Sequence, residues 1–262
     1  MRTRLDAELV RRGLARSRDH AVDLIESQSV LVSGIPASKP ATQVDPETSI
    51  SIADSREYYV SRGGHKLAGA LDAFPTLKIE GRVALDAGAS TGGFTDVLLK
   101  RGASKVIAVD VGYGQLAWTL QQDPRVEIHD RTNVRLLSPD LISESVSVIV
   151  ADLSFISLNL VIPALVSIAR KDTDFLLMVK PQFEVGREQL GAGGVVREAK
   201  LRKSAVMSVA QVAANNCLKV IDVVASPLPG PSGNVEYFLW LQFGSGAIDE
   251  SAIDRAIAQG PQ

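Results

Sequence analysis

The chain of 262 residues has one cysteine, Cys217, and three histidines, His20, His65 and His129. A single thiol excludes a disulfide framework and a cysteine metal cluster, suits a reducing compartment, and reads as a small buried apolar residue. No metal site is expected. A formal charge of −2 excludes a uniformly basic coat, so any contact with nucleic acid must rest on a local patch. The start, Met1-Arg-Thr-Arg-Leu-Asp-Ala-Glu8, has no apolar stretch, and no secretory signal is expected. One segment needs testing as a membrane span, because Asp152 is the only ionisable residue between Val146 and Ala169. Pro163, Asn159 and several serines interrupt it, and a mid-bilayer Asp costs about 2.5–3.5 kcal/mol. A buried strand over 146–151 and a core helix from about Leu158 account for the same residues without a membrane.

What is present is an ordinary soluble composition, 45% hydrophobic and 22% charged, in a chain long enough for one large core and a small appendage. The organising stretch is Arg82-Val-Ala-Leu-Asp-Ala-Gly-Ala-Ser-Thr-Gly-Gly-Phe-Thr-Asp96. An apolar run ends in Asp86, a Gly/Ser/Thr bend follows, and Phe94, Val97 and Leu98 fall at helical spacing, the pattern of strand, tight turn and helix. Besides an ordinary turn without a ligand, three chemistries use such a bend. A dinucleotide fingerprint wants G-x-G-x-x-G, but Ser90 replaces the middle glycine where a pyrophosphate needs bare backbone. A nucleophile elbow, G-x-S-x-G, matches Gly88 to Gly92 literally, yet no histidine follows His129 to serve as its base. The third reading is an S-adenosyl-L-methionine pocket, which tolerates a small side chain at the bend. Asp86, Gly88, Ser90, Thr91, Gly92 and Phe94 are its candidate residues. Lys105-Val-Ile-Ala-Val-Asp110 supports it, ending about 20 residues downstream in a carboxylate that can accept both ribose hydroxyls. Val126-Glu-Ile-His-Asp130 reads as the next strand, and Asp130 and Asn133 are secondary cofactor candidates beside plain turn chemistry.

Further on, a fourth strand ends at Asp152 and a fifth, Phe175-Leu-Leu-Met-Val-Lys180, at Lys180, both at the carboxyl edge where open α/β sheets bind ligands. Residues 182–194 read as a glycine-punctuated, mobile lid. A helix over about 197–215 leads to two strands, 220–224 and 235–242, that fit an antiparallel pair closing the sheet, with Glu236 at the start of the last. Residues past Gly244 read as a short, loosely attached helix.

Residues 1–59 form a separate unit. Leu5, Leu9 and Leu14 mark one helix, and Ser17 caps a second in which Ala21, Val22 and Ile25 face inward. Val30-Leu-Val32, the turn Ser33-Gly34 and Ile50-Ser-Ile52 give short strands. Six arginines, at positions 2, 4, 11, 12, 16 and 18, oppose Asp6 and Glu8 in the first 18 residues. A helix face holding Arg11, Arg12, Arg16 and Arg18 is a plausible phosphate-binding surface, with a merely solvated face as the alternative. Arg4-Leu-Asp-x-x-Leu9, Gly13, Ser17-Arg-x-x-Ala21, Val30-x-Val-x-Gly34 and Lys39-Pro40 closely resemble the S4 RNA-binding domain. That resemblance implies docking on structured RNA through shape and phosphate contacts, with Arg4, Arg11, Arg12, Arg16 and Arg18 as RNA-binding candidates. Tyr58 to Lys66 reads as a hinge turned by Gly63 and Gly64, where Arg62, a further RNA-binding candidate, His65 and Lys66 add positive charge. His65 is the weaker of these as an active group.

A ribose hydroxyl is a poor nucleophile until its proton is being removed, and a lysine pushed downward in pKa by burial and a second cation can take it. A Lys, Asp, Lys, Glu set on separate strand ends resembles that of the FtsJ 2′-O-methyltransferases, and maps onto Lys66, Asp152, Lys180 and Glu236. Arg62-Gly-Gly-His-Lys-Leu67, Asp86 to Asp96, Asp152-Leu-Ser-Phe-Ile-Ser157, Lys180-Pro-Gln-Phe-Glu184 and Gly193-Gly-Val-Val-Arg197 behind an S4 domain are similar to the TlyA family. The resemblance covers residues 1 to about 243. It implies a Rossmann-like α/β methyltransferase with a mostly parallel seven-stranded sheet, preceded by a small α+β S4 domain. It further implies methylation of cytidine 2′-hydroxyls in ribosomal RNA of the small and often the large subunit, in the cytoplasm, on ribosomal subunits, with Lys180 as base. No membrane, DNA or obligate protein partner is expected. The expected division is 1–59, a linker at 60–65, a catalytic domain over 66–245 and a tail at 246–262. The rivals are a haemolysin, which the family is also named for, and an S4 RNA-binding protein with an inactive cofactor domain.

Overall fold

The computed structural model describes residues 2–26, 29–33, 35–52 and 59–260, so Gly34 of the expected turn and Tyr58 of the expected hinge lie outside the described residues. The chain divides into two compact units, Met1–Arg62 and Gly63–Gln262.

The first unit runs β1 (Thr3–Arg4), α1 (Leu5–Arg11), α2 (Arg18–Glu26), β2 (Val30–Val32), β3 (Ile35–Pro36), β4 (Gln43–Val44) and β5 (Ile50–Ile52). β1 pairs with β4, and β2 is the centre of an antiparallel sheet ordered β3-β2-β5. Leu5 and Leu9 of α1 and Ala21, Leu24 and Ile25 of α2 meet in one core with Val30 and Val44. Leu24 takes the inward position expected of Val22, which is half-buried, and Leu14 lies beyond the end of α1. Ser17 Oγ accepts from the His20 amide at 3.1 Å, the expected cap of α2.

The second unit contains α3 (Arg62–Ala73, shared with the boundary), β6 (Val83–Ala87), α4 (Gly93–Lys100), β7 (Lys105–Val109), α5 (Trp118–Gln121), β8 (Val126–His129), β9 (Val146–Ala151) and α6 (Ile162–Ser167). It continues with β10 (Ala169–Val179), α7 (Pro181–Glu184), α8 (Ala199–Asn215), β11 (Leu218–Ala225), β12 (Tyr237–Phe243) and α9 (Glu250–Gln259). Seven strands form one sheet in the order β11-β12-β10-β9-β6-β7-β8, and β12 alone among them runs antiparallel to its neighbours. From β6 the chain proceeds outward through β7 and β8, then returns to lay β9 on the other side of β6. That reversal makes the β6/β9 junction the topological switch point, where open α/β sheets form their ligand crevice. The strand ends are level: Ala87 pairs with Val109 on one side and Ala151 on the other, and Ala151 with Leu177.

Five expectations need correction, and the first is Cys217, which is exposed and not buried. Gly63 and Gly64 lie in the first turns of α3 and make no hinge; burial of Leu67, Ala70 and Leu71 at helical spacing outweighs glycine's penalty of roughly 1 kcal/mol. The unit boundary falls at 62/63, inside the expected linker at 60–65. β10 starts at Ala169, its first residues being a polar stretch of exposed strand before the apolar run. The segment read as a mobile lid is broken into α7 and single turns of 3-10 helix at Arg187–Gln189 and Ala192–Gly194. Its end is pinned by buried Asn234, which accepts from the Val196 amide at 2.8 Å and donates to the Gly194 carbonyl at 3.0 Å. Finally, α9 is firmly attached: Ala252, Ile253, Ala256 and Ile257 are buried in the sheet's core, because their i, i+1, i+4, i+5 spacing gives one apolar face.

Ile253 is 0% exposed. Ile253→Ala is expected to lower stability by about 2–5 kcal/mol in urea denaturation. A loss below about 0.5 kcal/mol, the range of surface substitutions, would mean that α9 is not part of the core.

Candidate active site

The chain leaves β6 through Gly88, at φ +87°, where a Cβ would meet the Asp152 carbonyl oxygen at 2.6 Å. Only glycine permits this approach of the two switch-point loops. Gly92, at φ +96°, precedes α4, and a Cβ there would overlap Leu116 and Leu120. Packing within the chain thus accounts for both glycines, and the bend itself presents Ser90, at φ +47°, and Thr91, both exposed. Asp110 closes the bend: its Oδ2 accepts from the Ser90 amide at 2.8 Å and its Oδ1 from the Gly112 amide at 2.7 Å. Asp130 accepts from the Gly114 amide at 2.8 Å, and Asn133 Oδ1 from the Arg135 amide at 3.0 Å, so both do turn work at the next strand end. Phe94 is buried, its ring centroid 6.0 Å from that of Phe238, and is a core residue.

Asp86 is fully buried; Thr95 Oγ1 donates to its Oδ2 at 2.7 Å, and its Oδ1 has no partner among the described residues. Burial, helped by the nearby charges of Asp152 and Asp110, pushes this carboxyl up to about 7 against the lowering effect of the Thr95 hydrogen bond. Three carboxylates around one glycine bend repel a pyrophosphate and favour a cation. S-adenosylmethionine, with its sulfonium and ammonium, fits that donor set.

At the same edge, Lys180 follows β10 and Glu236 precedes β12, one register step beyond the Val179–Tyr237 pair. Lys180 Nζ lies 2.6 Å from Asp152 Oδ1, an ion pair without hydrogen-bond alignment, and donates to Ser154 Oγ at 2.9 Å. Lys66, from α3, donates to Glu236 Oε2 at 2.5 Å. Both lysines and Glu236 are under 10% exposed. The four residues separated by up to 170 positions in sequence are therefore two cation–carboxylate pairs, built by α3 and three strand ends. Lys180 and Glu236 also line a cavity of about 340 Å³, walled by Phe155, Phe183, Leu190 and Pro231. Sequence reasoning missed Ser154, Phe155 and Phe183; the signal lay inside the quoted stretches Asp152 to Ser157 and Lys180 to Glu184, as aromatics directly beyond strand ends.

In the first unit the arginines do not share one helix face: Arg11 ends α1, Arg12 follows it, Arg16 lies in the connection and Arg18 opens α2. Two buried acids organise them. Arg4 grips Asp6 with two hydrogen bonds of 3.1 and 2.8 Å, and Arg18 adds a third at 3.2 Å. Arg11 grips Glu8 at 2.7 and 2.6 Å, and Arg12 reaches it at 2.7 Å. The guanidinium groups hold both carboxyls down at about 2, hydrogen bonding from Arg4 and from Arg11 being the leading causes. Arg12 also donates to the carbonyls of Thr48 and Pro46, both at 2.8 Å, and is a structural brace. Arg16 makes no salt bridge among the described residues and is exposed. Arg62 is half-buried at the start of α3.

The FtsJ-like methyltransferase family model matches residues 59–243, and the S4 domain model residues 3–50. The chain is 56% identical over 99% of both lengths to a Mycobacterium tuberculosis protein named 16S/23S rRNA (cytidine-2′-O)-methyltransferase TlyA. The chain belongs to the TlyA family of FtsJ-like methyltransferases. Another relative, 35% identical over 89% of this chain and 97% of its own, is named Hemolysin A in Brachyspira hyodysenteriae. A solved structure of a protein named as a hemolysin from Streptococcus thermophilus superposes with a TM-score of 0.77, at 38% identity, covering 98% of this chain and 95% of that one. Among the described residues of this TlyA-family chain, no helix is long and apolar enough to cross a membrane.

The raised Asp86 carboxyl gives the crevice a pH dependence. A bound cation favours the ionised acid, so affinity for S-adenosylmethionine is expected to fall as pH drops from 8 to 6, through the value of about 7. Titration calorimetry at the two pH values should show that fall in the native chain and its loss in Asp86→Asn; an equal pH dependence in both would remove Asp86 from the crevice.

Proposed function

We propose that the chain transfers a methyl group from S-adenosylmethionine to the 2′-hydroxyl of a cytidine in small-subunit ribosomal RNA, and in large-subunit RNA as the name of the mycobacterial relative implies for that protein. One observation carries the reading. Asp152 belongs to both halves of the site: its backbone carbonyl packs on Gly88 of the bend, and its carboxylate pairs with Lys180 at the cavity rim.

When bound, the cofactor supplies an electrophilic methyl group on a sulfonium. Ser90, Thr91, Asp86 and Asp110 would hold it. The cavity beside Lys180 then receives the nucleoside, with Phe155 and Phe183 offering apolar faces to its base and sugar. The Lys180 amine would take the proton of the acceptor hydroxyl, the role of base that its place at the cavity rim beside Asp152 supports. Asp152 and Ser154 fix where that amine points. Lys66 and Glu236, locked together, set the charge next to Lys180 on the neighbouring strand. Alignment of this kind is worth orders of magnitude in rate, because reacting atoms must meet within about 3–3.5 Å.

The first unit supplies RNA affinity. Arg4, Arg11 and Arg18 keep donors of their five for phosphate oxygens after serving Asp6 and Glu8, Arg16 is exposed between them in sequence, and exposed Lys39 precedes Pro40, whose carbonyl accepts from the Asp6 amide at 3.1 Å. The chain would act in the cytoplasm, where ribosomal subunits are assembled.

Lys180→Ala is expected to lower methylation by about 10²–10⁴-fold, in the range of a lost general base, while binding to ribosomal subunits stays nearly intact. Equal loss of both would make Lys180 a binding residue. The double reversal Arg16→Glu with Lys39→Glu should weaken subunit binding and flatten its salt dependence without changing cofactor affinity. Unchanged binding at low salt would discard the first unit as the RNA surface. Mapping ribose methylation in ribosomal RNA from cells with and without the gene tests the reaction itself.

A further inference from the structure

Phe155 combines two costly features. It is 91% exposed and its backbone sits at φ +64°, a left-handed conformation that is strained for a bulky residue. The loop that carries it is fastened at both flanks to the short stretch beginning at Lys180. On one side Lys180 holds Asp152 and Ser154. On the other, Glu184, the last residue of α7, accepts from Ser157 Oγ at 2.5 Å and from the Leu158 amide at 2.8 Å. Ser157 in turn caps the following helical turn by accepting from the Asn159 amide at 3.1 Å. Between the two fastenings the Phe155 ring stands 5.3 Å from the ring of Phe183, which precedes Glu184.

Glu184 is half-buried and makes no salt bridge among the described residues, and burial raises its carboxyl from its ordinary value. A half-buried acid served only by neutral donors is costly where a glutamine or an apolar residue would end the same helix. Its geometry serves one purpose: it fixes the exit of the Phe155 loop to the segment that carries Lys180.

We propose that Glu184 is a positioning residue for the methyl acceptor, clamping the loop through Ser157 and Leu158 so that the Phe155 ring stands at a fixed place relative to the Lys180 amine. The proposal rests on reading the adjoining cavity as the acceptor site, and names the clamp that gives this cavity its shape. Glu184 touches neither substrate nor cofactor in this scheme. It acts through Phe155.

The test is a double-mutant cycle on the full chain, with ribosomal subunits as substrate and cofactor affinity measured separately. Glu184→Ala is expected to lower kcat/KM by about 10- to 100-fold, the scale of a misplacement near 1 Å, with cofactor affinity unchanged. Glu184→Gln, whose carboxamide can accept from the Leu158 amide and donate to Ser157 Oγ, should recover activity to within about threefold of the native chain. In a Phe155→Ala background the further loss on Glu184→Ala should shrink to less than about threefold, since residues that act as a unit are not additive. A full second loss in that background, or a change in cofactor affinity, overturns the clamp. Native activity in Phe155→Ala alone overturns the acceptor reading itself, a separate failure. Should Glu184→Ala fail to fold, Glu184→Asp, which withdraws the carboxylate by one methylene, carries the same expectation.

Discussion

The parallel pairing of β6 with β9 is the constraint from which the rest of the second unit follows. Because Ala87 and Ala151 are level, the residues after them, Gly88 and Asp152, must pass each other at the carboxyl edge. The passage is so close that position 88 admits no side chain, and the Asp152 carboxylate is thereby set between the glycine bend and Lys180. A reordered sheet would keep every residue and lose this adjacency.

Charge is handled by opposite means in the two units. In the first, Asp6 and Glu8 are buried and each is surrounded by arginines, so the acids are held well below their ordinary range and their cost is met by charge-assisted hydrogen bonds. Much of the local arginine surplus is consumed in that way. In the second, Asp86 is buried with a hydroxyl as its nearest donor and other acids nearby, so its carboxyl rises. An arrangement that is poor for the empty fold is suited to a positively charged ligand. The lysine–carboxylate pairs at the same edge each match one cation to one carboxylate.

The glycine bend, Asp110 and the apolar runs of the parallel strands were legible from sequence, because a strand buried on both faces needs continuous apolar residues and a tight turn needs glycine. Asp152, Lys180 and Glu236 were legible as polar residues terminating such runs. The errors arose where tertiary burial overrides local signals. Gly63 and Gly64 look like a hinge until Leu67, Ala70 and Leu71 are seen to bury one helical face. Residues 250–259 look like a loose tail until Ile253 and Ala256 are seen in the core. The start of β10 is polar because it runs along exposed strand before entering the sheet. Asn234 carries no sequence signal at all, since its value lies in two backbone groups some forty residues away.

By itself the sequence determined the two-unit organisation, the order of strands and helices along the chain, and the residue types available for chemistry, since these follow from periodicity, turn residues and composition. It left undecided who meets whom. The pairing of Lys66 with Glu236 and of Lys180 with Asp152, the tying of Glu184 to the Phe155 loop, and the division of the arginines between two buried acids were decided only by the tertiary structure. Such pairings depend on strand order and register, and those are set by the packing of the whole sheet and core and not by any local run of residues.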